Sequence, residues 1–253
     1  MKTLIVAGIH GNETASVLTA REIKGWIEGK GIENVEVIPE VNVRAVSLNR
    51  RTDPEDEKDL NRVFPGQAEG SRSERIAWRI FNKAKNFDRV IDLHTYGRNR
   101  NCIPYVLTDL EKKENRILAK KIGLDHAVQT SGTRGQLFLE LSERGVPSAI
   151  IEMGGASKID TELIERVKDK IIDLLSNDRI KETNFHGNYQ KIRKEGKGVF
   201  KPKLEPGERV REGDTVGVLD DKSINSPCSG TILGVLSGKY DSDDDYLFSV
   251  ASN

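Results

Sequence analysis

Hydrophobic positions along the first 180 residues alternate between short apolar runs and longer amphipathic stretches. The run Leu4–Ile9 predicts a buried strand, and apolar positions between Val17 and Ile27 then recur at helical spacing. Ser71 with Glu74 three residues later has the spacing of a capping box, which predicts the start of another helix. Such alternation is typical of an α/β domain with a largely parallel sheet.

The same criteria predict the remaining elements of this part of the chain. They are strands around residues 35–37 and at 88–93, 104–108 and 147–153, and helices at about 110–123, 135–144 and 160–176. Open α/β sheets bind ligands in loops at the carboxyl ends of their strands. Candidate functional residues are therefore expected where these apolar runs end.

The pattern changes after residue 180. Residues 181–195 are polar and show neither a helical nor a strand period, which predicts a linker. From Gly196 onward, short β-type runs are separated by Pro-Gly, Glu-Gly-Asp and Ser-Pro turns. The sequence therefore predicts two domains, a larger α/β domain at 1–180 and a small all-β domain at 196–253.

The charge balance limits the classes of partner. Lys plus Arg and Asp plus Glu number 40 each, so no global field attracts nucleic acid or an anionic membrane. No apolar run reaches the length of a signal-peptide core or a membrane span, which predicts a cytoplasmic protein. Cys102 and Cys228 lie outside any CxxC spacing and indicate neither a disulfide framework nor a thiolate metal site. A homo-oligomer is compatible with the sequence.

Three residues could together bind a metal ion. His10 and Glu13 follow the first strand, in a loop where Gly8 and Gly11 allow a tight bend. An isolated His-x-x-Glu is more often a surface coincidence, so a third ligand must come from elsewhere. His94 follows the apolar run that a parallel sheet would bring beside the first loop. Two histidines and one carboxylate leave zinc an open coordination position for water.

Two further carboxylates stand near predicted strand ends. Asp92 shares a strand face with His94 and could orient a histidine, although a solvated aspartate is an equal alternative. Glu152 ends an apolar strand, where charges seldom occur unless they are paired or functional. It could act as a general base toward zinc-bound water. The alternative is a strand-end glutamate that faces solvent.

Four motifs in order resemble one known family. GIHGNE at 8–13, DLNRVFPG at 59–66, DLHT at 92–95 and IEMGG at 151–155 are similar to motifs of the succinylglutamate desuccinylase and aspartoacylase family, in the zinc carboxypeptidase clan. The resemblance covers the whole chain. It implies a carboxypeptidase-like, three-layer α/β catalytic domain with a mostly parallel or mixed sheet, followed by a small β domain of the barrel-sandwich type.

The resemblance also implies residue roles. His10, Glu13 and His94 match the ligands of one zinc ion per chain, and Glu152 matches the catalytic glutamate. Asn61 and Arg62 match residues that hold the substrate's carboxylate, which suits the planar fork of arginine. Read without the family, Arg62 would be an ordinary surface arginine.

An arginine upstream of DLNR polarises the scissile carbonyl in the family. Arg50 and Arg51 both fit that place, and Arg51 is preferred. The segment 52–58, here called the acidic loop, is longer and more acidic than the link expected in the named enzymes. The loop Arg98–Asn101 could meet a second anionic group of a substrate, or it could simply be solvated.

The predicted function is zinc-dependent hydrolysis of the amide bond of a small N-acyl amino acid or a related acylated amine. A peptide-trimming metallocarboxypeptidase would use the same zinc site, so pocket closure must separate the two enzymes. A non-catalytic small-ligand-binding protein is the alternative from another class. The complete ligand set together with Glu152 argues against it.

Overall fold

The computed structural model describes residues 1–96, 100–130, 132–155, 160–241 and 246–252. The strands are β1 Thr3–Ala7, β2 Val35–Ile38, β3 Arg89–Tyr96, β4 Arg100–Cys102, β5 Tyr105–Thr108, β6 His126–Gln129, β7 Ser148–Gly155, β8 Asn184–Ile192, β9 Lys197–Pro202, β10 Arg209–Val210, β11 Thr215–Leu219, β12 Lys222–Asn225, β13 Gly230–Leu236, β14 Gly238–Asp241 and β15 Phe248–Ser252. The helices are α1 Thr14–Lys30, α2 Val43–Ser47, α3 Arg72–Ala84, α4 Lys113–Ile122, α5 Leu137–Ser142 and α6 Thr161–Asn177, with a 3-10 turn at Leu60–Arg62.

A mixed sheet forms the middle layer of the first part of the chain. Its strand order is β8-β6-β5-β7-β3-β1-β2, and every neighbouring pair is parallel except β5 with β7. Alternate residues of β1 point to opposite faces. Ile5 packs in a core with residues of α1, α4 and α6, whereas Leu4 packs in a second core with residues of α3 and α5. Helices therefore cover both faces, which confirms the predicted three-layer α/β fold.

Local sequence signals explain several element boundaries. The predicted capping box is present at the start of α3, where Ser71 N donates to Glu74 Oε2 at 2.6 Å. Helices α1 and α4 end at Gly31 and Gly123, which adopt the left-handed conformation that glycine favours. Strand β6 was not predicted, because its four residues offer only two apolar positions between His126 and Gln129.

The β-rich part forms two sheets around its own core. One sheet has the order β12-β11-β9-β14, and strands β10, β13 and β15 continue the main sheet beyond β8. Phe200, Val216, Ile232 and Phe248 are buried between them. This β-rich C-terminal part agrees with the predicted fold class. The division into two domains remains a prediction.

The segment predicted as a linker contains strand β8. Its first half pairs in parallel with β6, from His126 opposite Asn184, and its second half pairs antiparallel with β15, from Tyr189 opposite Ala251. The two parts of the chain therefore share one continuous sheet. Most side chains of β8 are exposed or half-buried, so backbone pairing on both edges, and not an apolar pattern, makes it a strand.

Two further expectations from the sequence concern the cysteines and membrane-spanning helices. Cys102 and Cys228 are both unpaired and half-buried. Across the described ranges, no helix is long and apolar enough to cross a membrane.

Candidate functional site

A cleft of about 1160 Å³ opens at the carboxyl ends of β1, β3 and β7. Its floor contains His10, Glu13, His94 and Glu152. Its opposite wall is formed by residues of β8, β9 and β14, such as Lys191 and Tyr240. The site therefore lies where the α/β part meets the β-rich part, as expected for ligands of open α/β sheets.

Two glycines permit the tight course of the chain between β1 and α1. Gly8 has a φ of 67°, in the left-handed region. At Gly11, an added Cβ would lie 1.9 Å from the carbonyl carbon of Ala45, so only glycine fits against α2. The bend turns the side chains of His10 and Glu13 toward the same point at the start of α1.

The three predicted ligands come together around that point. His10 Nδ1 lies 2.8 Å from Glu13 Oε1, and His94 Nδ1 lies 3.0 Å from Glu13 Oε2. One ligand atom from each side chain can be chosen so that all lie within 4.8 Å of one another, and all three residues are buried. Thr95 N also donates to Glu13 Oε2 at 2.9 Å and fixes its orientation.

The other ring nitrogen of each histidine faces a second carboxylate. His10 Nε2 lies 2.9 Å from Asp59 Oδ1, and His94 Nε2 lies 3.0 Å from Asp92 Oδ2. The second contact is a close ion pair without the alignment of a hydrogen bond, because neither atom has a hydrogen-bond partner among the described residues. Such outer carboxylates fix the ring orientation of metal-binding histidines and raise their basicity.

Electrostatics at this point favour a positive charge. Burial alone would raise the pKa of Glu13, but His10 and His94 outweigh it and hold that pKa far below its usual range. Burial would lower the pKa of His94, but Asp92 and Glu13 outweigh it and raise that pKa well above the usual value. Two Nδ1 atoms and a carboxylate directed at one buried point suit the donor preferences of Zn²⁺. The residues present therefore fit the metal that the resemblance implies.

Glu152 lies beside His94 on the neighbouring strand. The two residues are Cα partners in the parallel pairing of β3 with β7, so their side chains point to the same side of the sheet. Glu152 Oε2 is buried without a hydrogen-bond partner among the described residues. Burial, together with the charge of Glu13, raises the pKa of Glu152 although His94 opposes the shift. A carboxylate with a raised pKa beside a metal site is suited to accept a proton.

The structure brings Arg51, and not Arg50, to the site. Arg51 Nη2 donates to Asp59 Oδ2 at 2.9 Å, and Nη1 lies 3.8 Å from Glu13 Oε1. Arg50 turns outward and pairs with Glu57 at 2.8 Å. The longer acidic loop therefore does not displace Arg51 from the cleft.

Asn61 and Arg62 line the cleft next to the candidate metal site. The amide oxygen of Asn61 is already occupied, because it accepts a hydrogen bond from Leu137 N at 3.1 Å, at the start of α5. Its amide nitrogen is then the group left to donate to a ligand. Arg62 Nη1 donates to the carbonyl oxygen of Asn61 at 2.7 Å, which directs the guanidinium along the cleft wall.

Several residues in or next to the cleft were not singled out in the sequence. Asp59 was recognised only as part of a motif, because its contact with His10 spans 49 residues. Tyr189 and Lys191 were assigned to the linker, yet β8 places both in the cleft. Lys191 Nζ lies 4.8 Å from the centre of the Tyr246 ring. These two residues alternate with outward ones, a period of two that could have indicated a strand.

The predicted loop Arg98–Asn101 lies only partly within the described residues. Arg98 and Asn99 are outside them. Arg100 is buried, with its guanidinium 3.7 Å from the centre of the Tyr246 ring and a hydrogen bond to the Tyr246 carbonyl oxygen. It also lines the cleft, so a positive charge is held close to the site.

Comparison with known proteins gives a consistent picture. The succinylglutamate desuccinylase/aspartoacylase catalytic domain matches residues 1–177. The N-alpha-acetyl-L-2,4-diaminobutyric acid deacetylase of Halomonas elongata is 30% identical over an alignment of 168 residues, which covers 63% of this chain and 46% of that protein. The chain thus matches about half the length of this curated relative.

Solved structures share the fold over the full chain. The product-bound ectoine utilization protein EutE (DoeB) from Ruegeria pomeroyi has a TM-score of 0.85 at 19% identity, covering 100% of this chain and 85% of that one. A succinylglutamate desuccinylase/aspartoacylase from Rhodobacter sphaeroides has a TM-score of 0.84 at 22% identity, covering 100% and 86%. At these identities the likeness shows the fold alone. The match over residues 1–177 decides the family: the chain belongs to the succinylglutamate desuccinylase/aspartoacylase family.

Proposed function

We propose that the protein is a zinc-dependent deacylase that hydrolyses the amide bond of a small N-acyl amino acid or a related acylated amine. The observation that carries the proposal is the convergence of His10 Nδ1, His94 Nδ1 and the Glu13 carboxylate on one buried point. Glu152 lies on the strand beside them. When bound there, zinc supplies Lewis-acid polarisation of the carbonyl and lowers the pKa of water.

The chain's own residues would divide the remaining work. The Glu152 carboxylate takes the proton of the attacking water and delivers it to the leaving amine nitrogen. The Arg51 guanidinium, held by Asp59, stabilises negative charge that develops on the carbonyl oxygen. The Asn61 amide and the Arg62 guanidinium bind the carboxylate of the amino-acid part through charge-assisted hydrogen bonds.

The charges of the cleft favour an anionic substrate. Seven Lys or Arg and three Asp or Glu side chains line it among the described residues. The Halomonas relative is named for an acetylated diamino acid, whose side chain carries a positive charge. A substrate with a free carboxylate and no additional ammonium group suits the described lining better, so simple N-acyl amino acids are our first candidates.

A metal analysis combined with a substrate panel tests the proposal. About one zinc per chain, with release of amino acid from N-acyl amino acids, is the expected result. Cleavage of short peptides alone would instead favour a metallocarboxypeptidase. A metal-free protein that binds these ligands without turnover would favour the binding-protein alternative.

A further inference from the structure

The acidic loop is anchored outside the cleft, at the start of helix α3. The Asp56 carboxylate accepts hydrogen bonds from Ser71 Oγ at 2.7 Å, from Ser73 N at 2.8 Å and from Ser73 Oγ at 2.7 Å. It also accepts one from Lys58 N at 3.2 Å. A carboxylate placed at a helix N-terminus satisfies free backbone N–H groups and interacts favourably with the helix dipole. This one side chain thus joins the acidic loop to the start of α3 through three hydrogen bonds.

A second aspartate closes the loop on itself. Asp53 is fully buried and accepts a hydrogen bond from Arg72 Nε at 3.1 Å. Its side chain and carbonyl also accept from the backbone N–H groups of Glu55 and Glu57, both at 2.9 Å. The acidic loop therefore has a defined internal structure, and a third side chain joins it to the start of α3, since Lys58 Nζ donates to Glu74 Oε1 at 3.1 Å.

Helix α3 is itself fixed to the central sheet. Ile76 and Phe81 are buried in the same core as Leu4 and Val6 of β1. Strand β1 leads directly into the turn that carries His10 and Glu13. Helix α3 therefore holds the acidic loop against the same sheet that positions the candidate metal ligands.

The two residues that flank the acidic loop, Arg51 and Asp59, reach the site. Arg51 and Asp59 pair at 2.9 Å, and Asp59 contacts His10 Nε2. Asp59 is followed by the fully buried Leu60, which fixes its backbone independently of the loop. The Arg51 side chain is 47% exposed, so little packing holds it. Movement of the loop would displace Arg51 more than Asp59.

We propose that Asp56 is a positioning residue, which holds Arg51 against the candidate metal site by tying the acidic loop to α3. The catalytic consequence rests on the deacylase function proposed above. The conformational consequence does not, because it concerns the loop in the metal-free protein as well.

Asp56→Asn is the first test variant, because it preserves shape but keeps only one oxygen. Ser73 N and Lys58 N donate to different oxygens of Asp56, so one of these two N–H groups must lose its acceptor. We expect kcat for an N-acyl amino acid to fall by about 10- to 100-fold, as for a misplaced catalytic group, with KM and zinc content little changed. In an Arg51→Ala background the same substitution should have almost no further effect on kcat. Additive losses in the double variant would overturn the proposal.

Two matched controls separate positioning from charge and stability. Glu57→Gln removes the same charge from the same loop without touching α3. Asp160→Ala removes a comparable cap from α6, where Asp160 accepts from Leu163 N at 3.1 Å. We expect both controls to keep the wild-type kcat. A loss in either control that equals the loss in Asp56→Asn would overturn the proposal.

Amide hydrogen exchange supplies a readout without turnover. In metal-free protein, Asp56→Asn should accelerate exchange at the backbone amides of Glu55 and Glu57, and Glu57→Gln should leave the Glu55 amide unchanged. Unchanged exchange in Asp56→Asn would overturn the positioning role even if activity fell. If the wild type hydrolyses no acyl amino acid, the deacylase proposal fails, and hydrogen exchange still decides the role of Asp56.

Discussion

His126 Nδ1 lies 2.9 Å from His186 Nε2, a hydrogen bond between strands β6 and β8 that is remote from the candidate metal site. The two rings are stacked, with an angle of 29° between their planes. One nitrogen must donate and the other accept, so at least one of the rings has to be neutral. This pair links the α/β part to the strand that continues into the β-rich part.

We predict that this pair makes stability depend on pH. Burial lowers the pKa of both histidines. At His126, Asp125 opposes this lowering and Arg166 adds to it. At His186, the charges of His126 and Arg209 add to the lowering. With pKa values lowered in the folded state, the contribution is present above the unfolded value of about 6.5 and is lost as pH falls through the folded values. Denaturant unfolding of the metal-free protein, measured between about pH 5 and 8, should show this loss of stability toward low pH. His126→Gln should reduce the slope of the free energy of unfolding against pH.

Substitutions of the metal ligands and of the general base should differ in their effects on zinc content and turnover. We predict that His10→Ala and His94→Ala each lose zinc, because two protein ligands make an incomplete site. Glu152→Gln should keep zinc and lose about 10²- to 10⁴-fold in turnover, the range for general-base catalysis. Metal analysis of the purified variants checks both statements. Full occupancy in either histidine variant would contradict the ligand assignment, and zinc loss in Glu152→Gln would make Glu152 a ligand.

Arg62 should act on binding more than on chemistry. A guanidinium that grips a carboxylate contributes in both the ground state and the transition state, so Arg62→Ala should raise KM by more than it lowers kcat. Arg62→Lys should recover only part of the affinity, because it lacks the planar fork. The matched control is a substrate whose carboxylate is replaced by an amide. An equal penalty on both substrates would make Arg62 structural.

We predict that Lys191 makes the KM for substrate change with pH in the alkaline range. Lys191 is an exposed residue of β8, but its loss of hydration inside the cleft, with Arg51, Arg100 and Arg193 adding to the effect, lowers its pKa to about 8, although Glu152 opposes the shift. The ammonium is therefore charged below this pH and neutral above it. We expect the KM of an N-acyl amino acid to rise as pH increases through about 8, and Lys191→Arg to remove that rise because arginine stays charged. An identical KM profile in this variant would show that Lys191 does not face the substrate.

The central residues of the candidate site could be predicted from the sequence, because their motifs lie near the ends of strands. His10 follows β1 and His94 lies near the end of β3, and these strands are parallel neighbours, so the approach of the two histidines could be predicted from the order of the elements. The position of Glu152 at the end of an apolar strand already predicted a general base, and the family resemblance added Asn61 and Arg62. The structure places all three in the same cleft. The choice between Arg50 and Arg51 needed coordinates, because adjacent residues differ only in the direction of their side chains.

The residues that were missed depend on contacts distant in sequence. The contact of Asp59 with His10 joins residues that lie 49 positions apart, on either side of the acidic loop, so local spacing could not indicate it. Strand β8 lacks an apolar pattern, because it lies between two strands and gains its order from backbone hydrogen bonds. Tyr189 and Lys191 were therefore invisible as cleft residues, although their alternate spacing places them on one side of that strand.

The shared strand has a consequence for dissecting the protein. Because β8 covers the outer edge of β6, a chain cut back to the family-matched residues 1–177 would expose the backbone groups of β6 to solvent. Unpaired edges of this kind recruit strands from other molecules. Such a fragment would also lack Tyr189 and Lys191, so it would combine a tendency to aggregate with an incomplete cleft. A piece of this chain that keeps the edge of β6 covered and the cleft complete therefore has to extend past the sheet's central strands to β8 and to its partner strand β15.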